Sequence, residues 1–219
     1  MSTVSTRDPV VLVHGLWMNG LEFGVLRQRL QSQHGFDAHV FTYPSLHGSA
    51  AEIAAELAAF VRERGAGAGR VHLVGHSLGG AIVYKCLAEH GIRDLPGNAV
   101  LLGSPLNGSR AAVGASRFAL LRPLLGPHVL DELAQPCGRC WNCGTPTALG
   151  AIAGTRRLGA GQFFASFDDE NDGTVAVSET LIPGLDDHIV VPHSHVGMLF
   201  AADVADLVAR FLHDGRFAN

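Results

Sequence analysis

The sequence is poor in charged and aromatic residues. Only 16% of its 219 residues are charged and 7% are aromatic, whereas 47% are hydrophobic. The formal net charge of −4 leaves no excess of basic residues, which argues against a nucleic-acid partner. Because hydrophobic residues are abundant and the net charge is small, we expect residues 1–219 to fold as a single domain with a sizeable core.

Long hydrophobic runs are also absent. No apolar run approaches the ~20 residues that cross a bilayer. The first ten residues, MSTVSTRDPV, lack the charged start and apolar core of a secretory signal peptide. We therefore expect no integral membrane segment and a cytoplasmic location.

Cysteine is scarce, with four residues in the chain. Cys86 stands alone in a helical pattern and is expected to be a buried, small apolar side chain. Cys137, Cys140 and Cys143 form a C-x2-C-x2-C run, a spacing compatible with zinc, and His128 is the nearest candidate for a fourth ligand. A redox or disulfide role and three plain thiols are the alternatives, and the sequence leaves all of them open.

Short β-branched runs alternate with helical patterns along the chain. Strands are predicted at residues 10–15, 36–43, 70–77, 98–104, 148–154 and 186–192, and helices at 20–31, 49–64, 79–90 and 196–212. Each predicted strand is a nearly continuous apolar run, which is typical of a mostly parallel sheet of about six strands with helices on both faces. Residues 106–148 interrupt the alternation and are rich in Pro and Gly, so we interpret them as an irregular, lid- or cap-like insertion.

The first chemical signal is Gly75-His76-Ser77-Leu78-Gly79, a G-x-S-x-G pattern between a predicted strand and a predicted helix. A serine on a sharp turn needs small neighbours if its hydroxyl is to project above a sheet, and the two glycines provide them. An ordinary glycine-rich turn is the alternative, but the strand before and the helix after favour a nucleophilic Ser77.

A serine that attacks a carbonyl also needs hydrogen-bond donors for the oxyanion that forms. The backbone N–H of Leu78 directly follows the serine at a helix start, and the N–H of Leu16 follows the early turn His14-Gly15. We predict that these two N–H groups form the oxyanion hole, and that His14 organises its loop rather than acting as a base.

Four segments together resemble a known family. They are VVLVHGLW at 10–17, HLVGHSLGG at 72–80, LLGSPLNGS at 101–109 and HSHVGML at 193–199. The chain resembles a small α/β-hydrolase of the lipase/esterase type over nearly its whole length. Lipases often carry G-[TS]-P-x-x-G-S after the strand that follows the nucleophile, as residues 103–109 do here. The resemblance implies an α/β-hydrolase fold and a catalytic triad in the order serine, acid, histidine.

Five histidines follow Ser77 at a sufficient distance: His128, His188, His193, His195 and His213. Only His193 and His195 directly follow the last predicted strand, where a loop lies above the carboxyl edge of the sheet. In lipase-like proteins the base is often followed by an apolar residue, Gly and the start of a helix. The resemblance therefore favours His195, with His193 as a neighbouring polar or pocket residue.

The acid is expected within DDENDG, residues 168–173, between Ser77 and His195. Its task is to accept a hydrogen bond from the imidazole and fix its tautomer. Asp172 precedes Gly173 and an extended, valine-containing segment, a pattern that the lipase resemblance also selects. Asp168, Asp169 and Glu170 remain alternatives, because seventeen residues, 155–171, separate the fifth strand from Asp172.

The same stretch approaches a calcium-loop template, D-x-[DN]-x-[DN]-G-x5-E. Asp168, Asp172, Gly173 and Glu179 match it, whereas Glu170 stands where Asp or Asn is expected. An EF-hand also needs a flanking helix on each side, which the sequence does not predict. A structural calcium near residues 168–172 remains an alternative.

The combined interpretation is a serine hydrolase that cleaves a small-molecule ester with a hydrophobic acyl group and needs no cofactor. Candidate pocket residues are Trp17, His76, Leu106, Phe118 and Leu121. Acyl transfer and thioester or amide hydrolysis are alternatives on the same triad. A non-catalytic ligand-binding module of the same fold is the alternative of another class. The sequence does not predict an oligomeric state.

Overall fold

The computed structural model describes residues 7–90, 92, 96–117, 133–137 and 147–218. Within these ranges six strands form one parallel sheet in the order β2-β1-β3-β4-β5-β6. The strands are β1 (Pro9–Val13), β2 (Asp37–Phe41), β3 (Val71–His76), β4 (Pro96–Leu102), β5 (Leu149–Gly154) and β6 (Asp187–Val191). The parallel α/β class expected from the sequence is therefore confirmed.

Helices connect the strands and cover the sheet. They are α1 (Gly24–Ser32), α2 (Ala50–Gly65), α3 (Leu78–Glu89), α4 (Arg110–Ser116) and α5 (Ala202–Asp214). Helix α2 starts at a capping box, in which Ser49 accepts from the N–H of Glu52 and the Glu52 carboxylate accepts from the N–H of Ser49. Among the helices in the described ranges, none combines the length and hydrophobicity that crossing a bilayer requires.

The sheet has a hydrophobic core on each face. Successive strand residues point to opposite faces, so Val11 and Val13 pack with the core under α2 and α3, whereas Val10 and Leu12 pack with the core under α1 and α5. All four side chains are fully buried. This explains why the strands read as continuous apolar runs and not as alternating ones.

The carboxyl ends of the strands meet at one edge because all strands run in the same direction. The segments that follow β1, β3, β4, β5 and β6 leave the sheet at this edge. They contain HGLW, the G-x-S-x-G turn, GSPLNGS, the acidic stretch and HSHVG. The fold thus gathers every predicted catalytic segment on one side.

Two helix boundaries differ from the sequence prediction. The predicted helix at 196–212 begins only at Ala202, and a short 3-10 helix, Gly197–Leu199, comes before it. Ala201 has an extended backbone that separates the two, so the apolar periodicity continues across a break in the helix. The predicted helix at 20–31 likewise starts with a 3-10 turn, Leu21–Phe23, ahead of α1.

The insertion at 106–148 is described in part. Its start contains α4, and residues 133–137 pack beside it: the N–H of Ser109 donates to the carbonyl of Leu133, and the N–H of Cys137 to that of Leu106. Phe118, Leu121, His128, Cys140 and Cys143 lie outside the described residues, so the lid and zinc predictions stay predictions.

A buried histidine lies at the amino end of the sheet, opposite the predicted site. His72 is fully buried, and its Nδ1 accepts a hydrogen bond from the N–H of Asn98 at 2.9 Å. Burial, helped by the Arg70 cation, lowers the pKa of His72 from 6.5 to about 4. Asp8 opposes this shift and His213 adds to it.

We expect the free energy of unfolding to fall by up to about 3 kcal/mol between pH 6.5 and pH 4 because of His72. The unfolded chain binds a proton at His72 below pH 6.5, whereas the folded chain resists protonation until about pH 4. A His72→Asn variant keeps an acceptor for Asn98 and should flatten this slope, whereas the same change at the exposed His47 should not. Urea unfolding of both variants across this pH range measures how the free energy of unfolding changes with pH. If His72→Asn showed the same pH dependence as wild type, the assignment of this dependence to His72 would be contradicted.

Candidate active site

The predicted nucleophile, Ser77, lies on the turn between β3 and α3. Its backbone is strained, with φ 55° and ψ −123°. The neighbouring glycines permit the turn because there is no room for a side chain: a Cβ on Gly79 would lie 2.1 Å from the carbonyl oxygen of Val13. Strain of this kind persists where the surroundings enforce it and marks functional sites.

The predicted base and acid are bonded to each other. Nδ1 of His195 lies 2.7 Å from Oδ2 of Asp172, and both side chains are buried. A second bond joins their backbones, from the N–H of His195 to the carbonyl of Asp172 at 3.0 Å. The other carboxylate oxygen, Oδ1, accepts from the N–H groups of Thr174 and Val175. The carboxylate is therefore held at both oxygens, with one directed at the imidazole.

Gly103, at the carboxyl end of β4, makes room for this pair. A Cβ on Gly103 would lie 2.9 Å from Oδ2 of Asp172 and 3.0 Å from Nδ1 of His195. Its φ of 52° is also in the region that favours glycine. The first residue of the GSPLNGS motif thus lets the acid and the imidazole approach each other.

Ser77 and His195 line one cavity of about 200 Å³ at the carboxyl edge of the sheet. The walls are mostly apolar, and they include Leu16, Trp17 and three alanines of α4, Ala111, Ala112 and Ala115. Of the predicted pocket residues, Trp17 and His76 line this cavity. Leu106 instead lies fully buried in the core under α2 and α3.

Both predicted oxyanion donors belong to residues near Ser77, since Leu78 directly follows it and Leu16 lines the same cavity. Within the described residues, no hydrogen-bond acceptor is found for the backbone N–H of Leu16 or of Leu78. Leu78 is the first residue of α3, where a helix presents N–H groups without intrahelical acceptors and a partial positive charge. Such groups can bind a developing oxyanion.

His14 holds the Leu16 loop against Tyr43, two residues after the end of β2. Its Nδ1–H donates to the carbonyl of Gly15, and its Nε2 accepts from the N–H of Tyr43. The Tyr43 hydroxyl donates to the carbonyl of His14 at 2.6 Å, and the two rings stack. With both ring nitrogens occupied, His14 organises its loop, as the sequence suggested.

A salt-bridge network anchors the loop that carries Asp172. The buried carboxylate of Glu179 accepts from the backbone N–H and the Nε–H of Arg110 at 2.7 and 3.0 Å, and from the N–H of Ala176. The guanidinium of Arg110 also donates to Asp169 at 2.8 Å. The Ser178 hydroxyl, together with Arg110, lowers the pKa of Asp169 below its ordinary value. Arg110 thus ties the acid loop to the start of α4.

This network bears on the calcium alternative. Glu179 and Asp169 of the acid loop bind the Arg110 guanidinium. Asp172 accepts from two backbone N–H groups and from His195. Within the described residues there is no group of three or more His, Cys, Asp or Glu side chains that could hold a metal. The acidic residues of this stretch therefore stabilise a tight turn, through backbone N–H groups and through Arg110.

The remaining predicted residues lie apart from the cavity. His193 forms a hydrogen bond with Asp203 at the surface, and His188 forms one with the Thr180 hydroxyl. His213 stacks on Phe36 at the far end of the sheet. Cys86 is fully buried in α3, and burial raises the pKa of its thiol to about 12.

Sequence reasoning missed Arg110, Glu179 as its partner, and the steric role of Gly103. A sequence motif could have pointed to Gly103 and Arg110, because Gly103 is the first residue of GSPLNGS and Arg110 directly follows that motif. No local sequence pattern indicates that Arg110 pairs with Glu179, since 69 positions separate the two residues.

Comparisons with known proteins identify the family and the fold. A model of a family described as the alpha/beta hydrolase family matches residues 10–211. No curated protein sequence matches the chain. The mature lipase BlEst2 of Bacillus licheniformis is similar in structure, with a TM-score of 0.74, 24% identity, and coverage of 90% of this chain and 88% of that one.

Two further solved structures share the fold. Phospholipase PlaB of Legionella pneumophila has a TM-score of 0.74 and 18% identity, covering 96% of this chain but 61% of that one. The metagenomic carboxyl esterase MGS0156 has a TM-score of 0.65 and 22% identity, covering 89% of this chain and 66% of that one. At these identities the likeness is one of fold.

Glu179→Gln should destabilise the protein by about 1–3 kcal/mol, because an amide at this buried position cannot accept all three hydrogen bonds that the carboxylate accepts from Arg110 and Ala176. It should also lower activity, since the loop that carries Asp172 loses its anchor. Urea unfolding and initial rates measure the two effects. Glu63→Gln is the control, because Glu63 is exposed and its ion pair with Arg64 is long, at 3.8 Å, and therefore weak. Equal stability of the two variants would show that the network does not hold the loop.

Proposed function

The chain belongs to the alpha/beta hydrolase family, and from that premise we propose that it hydrolyses carboxylic esters through Ser77, His195 and Asp172. The observation that carries the proposal is the buried 2.7 Å bond between His195 and Asp172 at a cavity that Ser77 also lines. Nucleophile, base and orienting acid then occur in the chain order of this family.

The chemistry proceeds in two halves. In the first, the Ser77 hydroxyl attacks the ester carbonyl while Nε2 of His195 takes its proton. The N–H groups of Leu16 and Leu78 stabilise the oxyanion of the tetrahedral intermediate. The intermediate collapses, the C–O bond to the alcohol breaks, and His195 returns the proton to the leaving alcohol.

The second half releases the acyl group. Water attacks the Ser77 ester as His195 takes a proton from it, and the carboxylic acid leaves as His195 reprotonates the Ser77 oxygen. Asp172 keeps the proton on Nδ1 throughout, so that Nε2 is the free base, and it stabilises the imidazolium in each half. Serine, imidazole, carboxylate and water supply every group that the reaction needs, without a cofactor.

The cavity points to a small hydrophobic acyl group. Its walls carry alanines from α4 and backbone from Gly159 and Gly161, which offer apolar contact and few polar partners. At about 200 Å³ it lies below the ~300–1,000 Å³ typical of pockets for drug-sized ligands. We therefore propose short-chain esters as substrates in preference to long-chain ones.

A panel of p-nitrophenyl esters of rising acyl length tests the proposal. We expect kcat/KM to be highest for short chains and to fall as the chain outgrows the cavity. Ser77→Ala should lower kcat at least about 10³-fold on every ester, because the covalent route is lost. Ser32→Ala, at the exposed end of α1, is the matched control and should behave as wild type. Turnover by Ser77→Ala at the wild-type rate would reject the nucleophile, and an inactive wild type would favour a binding module.

A further inference from the structure

His76, the residue before Ser77, contacts the backbone of the proposed base. It is the last residue of β3, and its side chain is fully buried. Its Nε2 lies 3.0 Å from the carbonyl oxygen of His195, and the two rings are 4.6 Å apart. The strand that presents Ser77 therefore also reaches the loop that presents His195.

The direction of this hydrogen bond fixes the tautomer of His76. A backbone carbonyl can only accept, so Nε2 of His76 carries the proton and donates it. Its Nδ1 is then an unprotonated acceptor, and it is buried without a partner within the described residues. Burial, with the neighbouring His195, holds the pKa of His76 well below its ordinary value, so the ring is neutral.

An unsatisfied buried acceptor reduces stability and calls for an explanation. A hydrophobic side chain would fill the same space without leaving an orphan nitrogen. Within the described part of the chain, the hydrogen bond from Nε2 to the His195 carbonyl is the interaction of this imidazole that a hydrophobic residue could not make.

Among the residues that the structure describes, three hydrogen bonds hold His195. Two of them, from its Nδ1–H and from its backbone N–H, lead to Asp172 and therefore to the acid loop. The third, at its carbonyl, comes from His76 and leads to the turn that carries Ser77. Within the described residues, this third bond is the hydrogen bond that joins His195 directly to the strand that carries Ser77.

We propose that His76 is a positioning residue that sets the distance between Ser77 and His195 by donating its Nε2–H to the His195 carbonyl. This inference rests on the proposed function. Displacement of a reacting group by about 1 Å can cost roughly 10²-fold in rate, so the bond acts on kcat. We expect KM to change less than kcat, because His76 is one of many residues that line the cavity and the three alanines of α4 make no part of this bond.

Two substitutions separate the hydrogen bond from the packing of the ring. His76→Gln keeps an N–H donor near the position of Nε2 but removes the ring, whereas His76→Phe keeps a ring and removes the donor. We expect kcat on p-nitrophenyl butyrate to fall about 10- to 100-fold in His76→Phe, with KM within about threefold of wild type. His76→Gln should recover kcat to within about threefold of wild type.

A role in packing alone predicts the reverse order, with Phe close to wild type and Gln impaired, and that result would overturn the proposal. Equal losses in both variants would overturn it as well. Thermal unfolding of each variant checks that the fold is intact, and His76→Met, which also lacks a donor, replaces Phe if that variant does not fold.

A fluorophosphonate probe, with the labelled residue identified by mass spectrometry, separates this inference from the proposed function. Labelling of Ser77 in the wild type supports the nucleophile whatever the His76 variants do. The His76 proposal predicts slower labelling of Ser77 in His76→Phe than in His76→Gln. Equal labelling rates in the two variants would contradict it.

Discussion

The hydrogen bond between Nδ1 of His195 and Oδ2 of Asp172 is the interaction on which the candidate site depends. It joins two loops that leave the sheet after β5 and β6, and it is buried, with Gly103 packed closely against it. A buried carboxylate is costly unless its oxygens are satisfied, and here two backbone N–H groups and one imidazole satisfy them. The bond therefore requires the acid loop to adopt one conformation, and the Arg110–Glu179 pair holds that loop to α4. Much of the architecture at the carboxyl edge follows from this requirement.

The parallel sheet supplies the rigid frame. Its two cores fix the strand ends, and the strain at Ser77 is tolerated because β3 and α3 are both firmly packed. The proposed oxyanion donors are backbone N–H groups, one at the start of α3 and one in the loop that His14 ties to Tyr43. Donors that are already oriented need little reorganisation when charge develops on a substrate oxygen. His76 links this frame directly to the histidine loop, which is also held by Asp172 and, through His193, by Asp203 of α5.

The sequence predicts those features that arise from local patterns. Continuous apolar runs predicted all six strands, and the glycines around Ser77 predicted the strained turn because close packing there excludes side chains. The start of α5 was predicted too early, since the apolar period does not reveal the extended residue Ala201. The Arg110–Glu179 pair lies beyond local patterns, because charges 69 residues apart meet only once the fold is known. The resemblance to a calcium loop also has a physical origin. Asn171 and Asp172 accept from N–H groups two and three residues ahead, and a calcium loop uses the same residue types around a glycine turn.

The most direct measurement compares Asp172→Asn with Asp168→Asn in kcat on a short p-nitrophenyl ester. Asparagine at 172 keeps the size of the side chain but can present an N–H to Nδ1, which disfavours the tautomer in which Nε2 is the base. By analogy with serine-protease triads, kcat should fall about 10³- to 10⁴-fold. Asp168 is exposed and four residues away, so its variant should keep kcat within about twofold. A wild-type rate in Asp172→Asn, or a larger loss in Asp168→Asn, would contradict the central role of the Asp172–His195 bond.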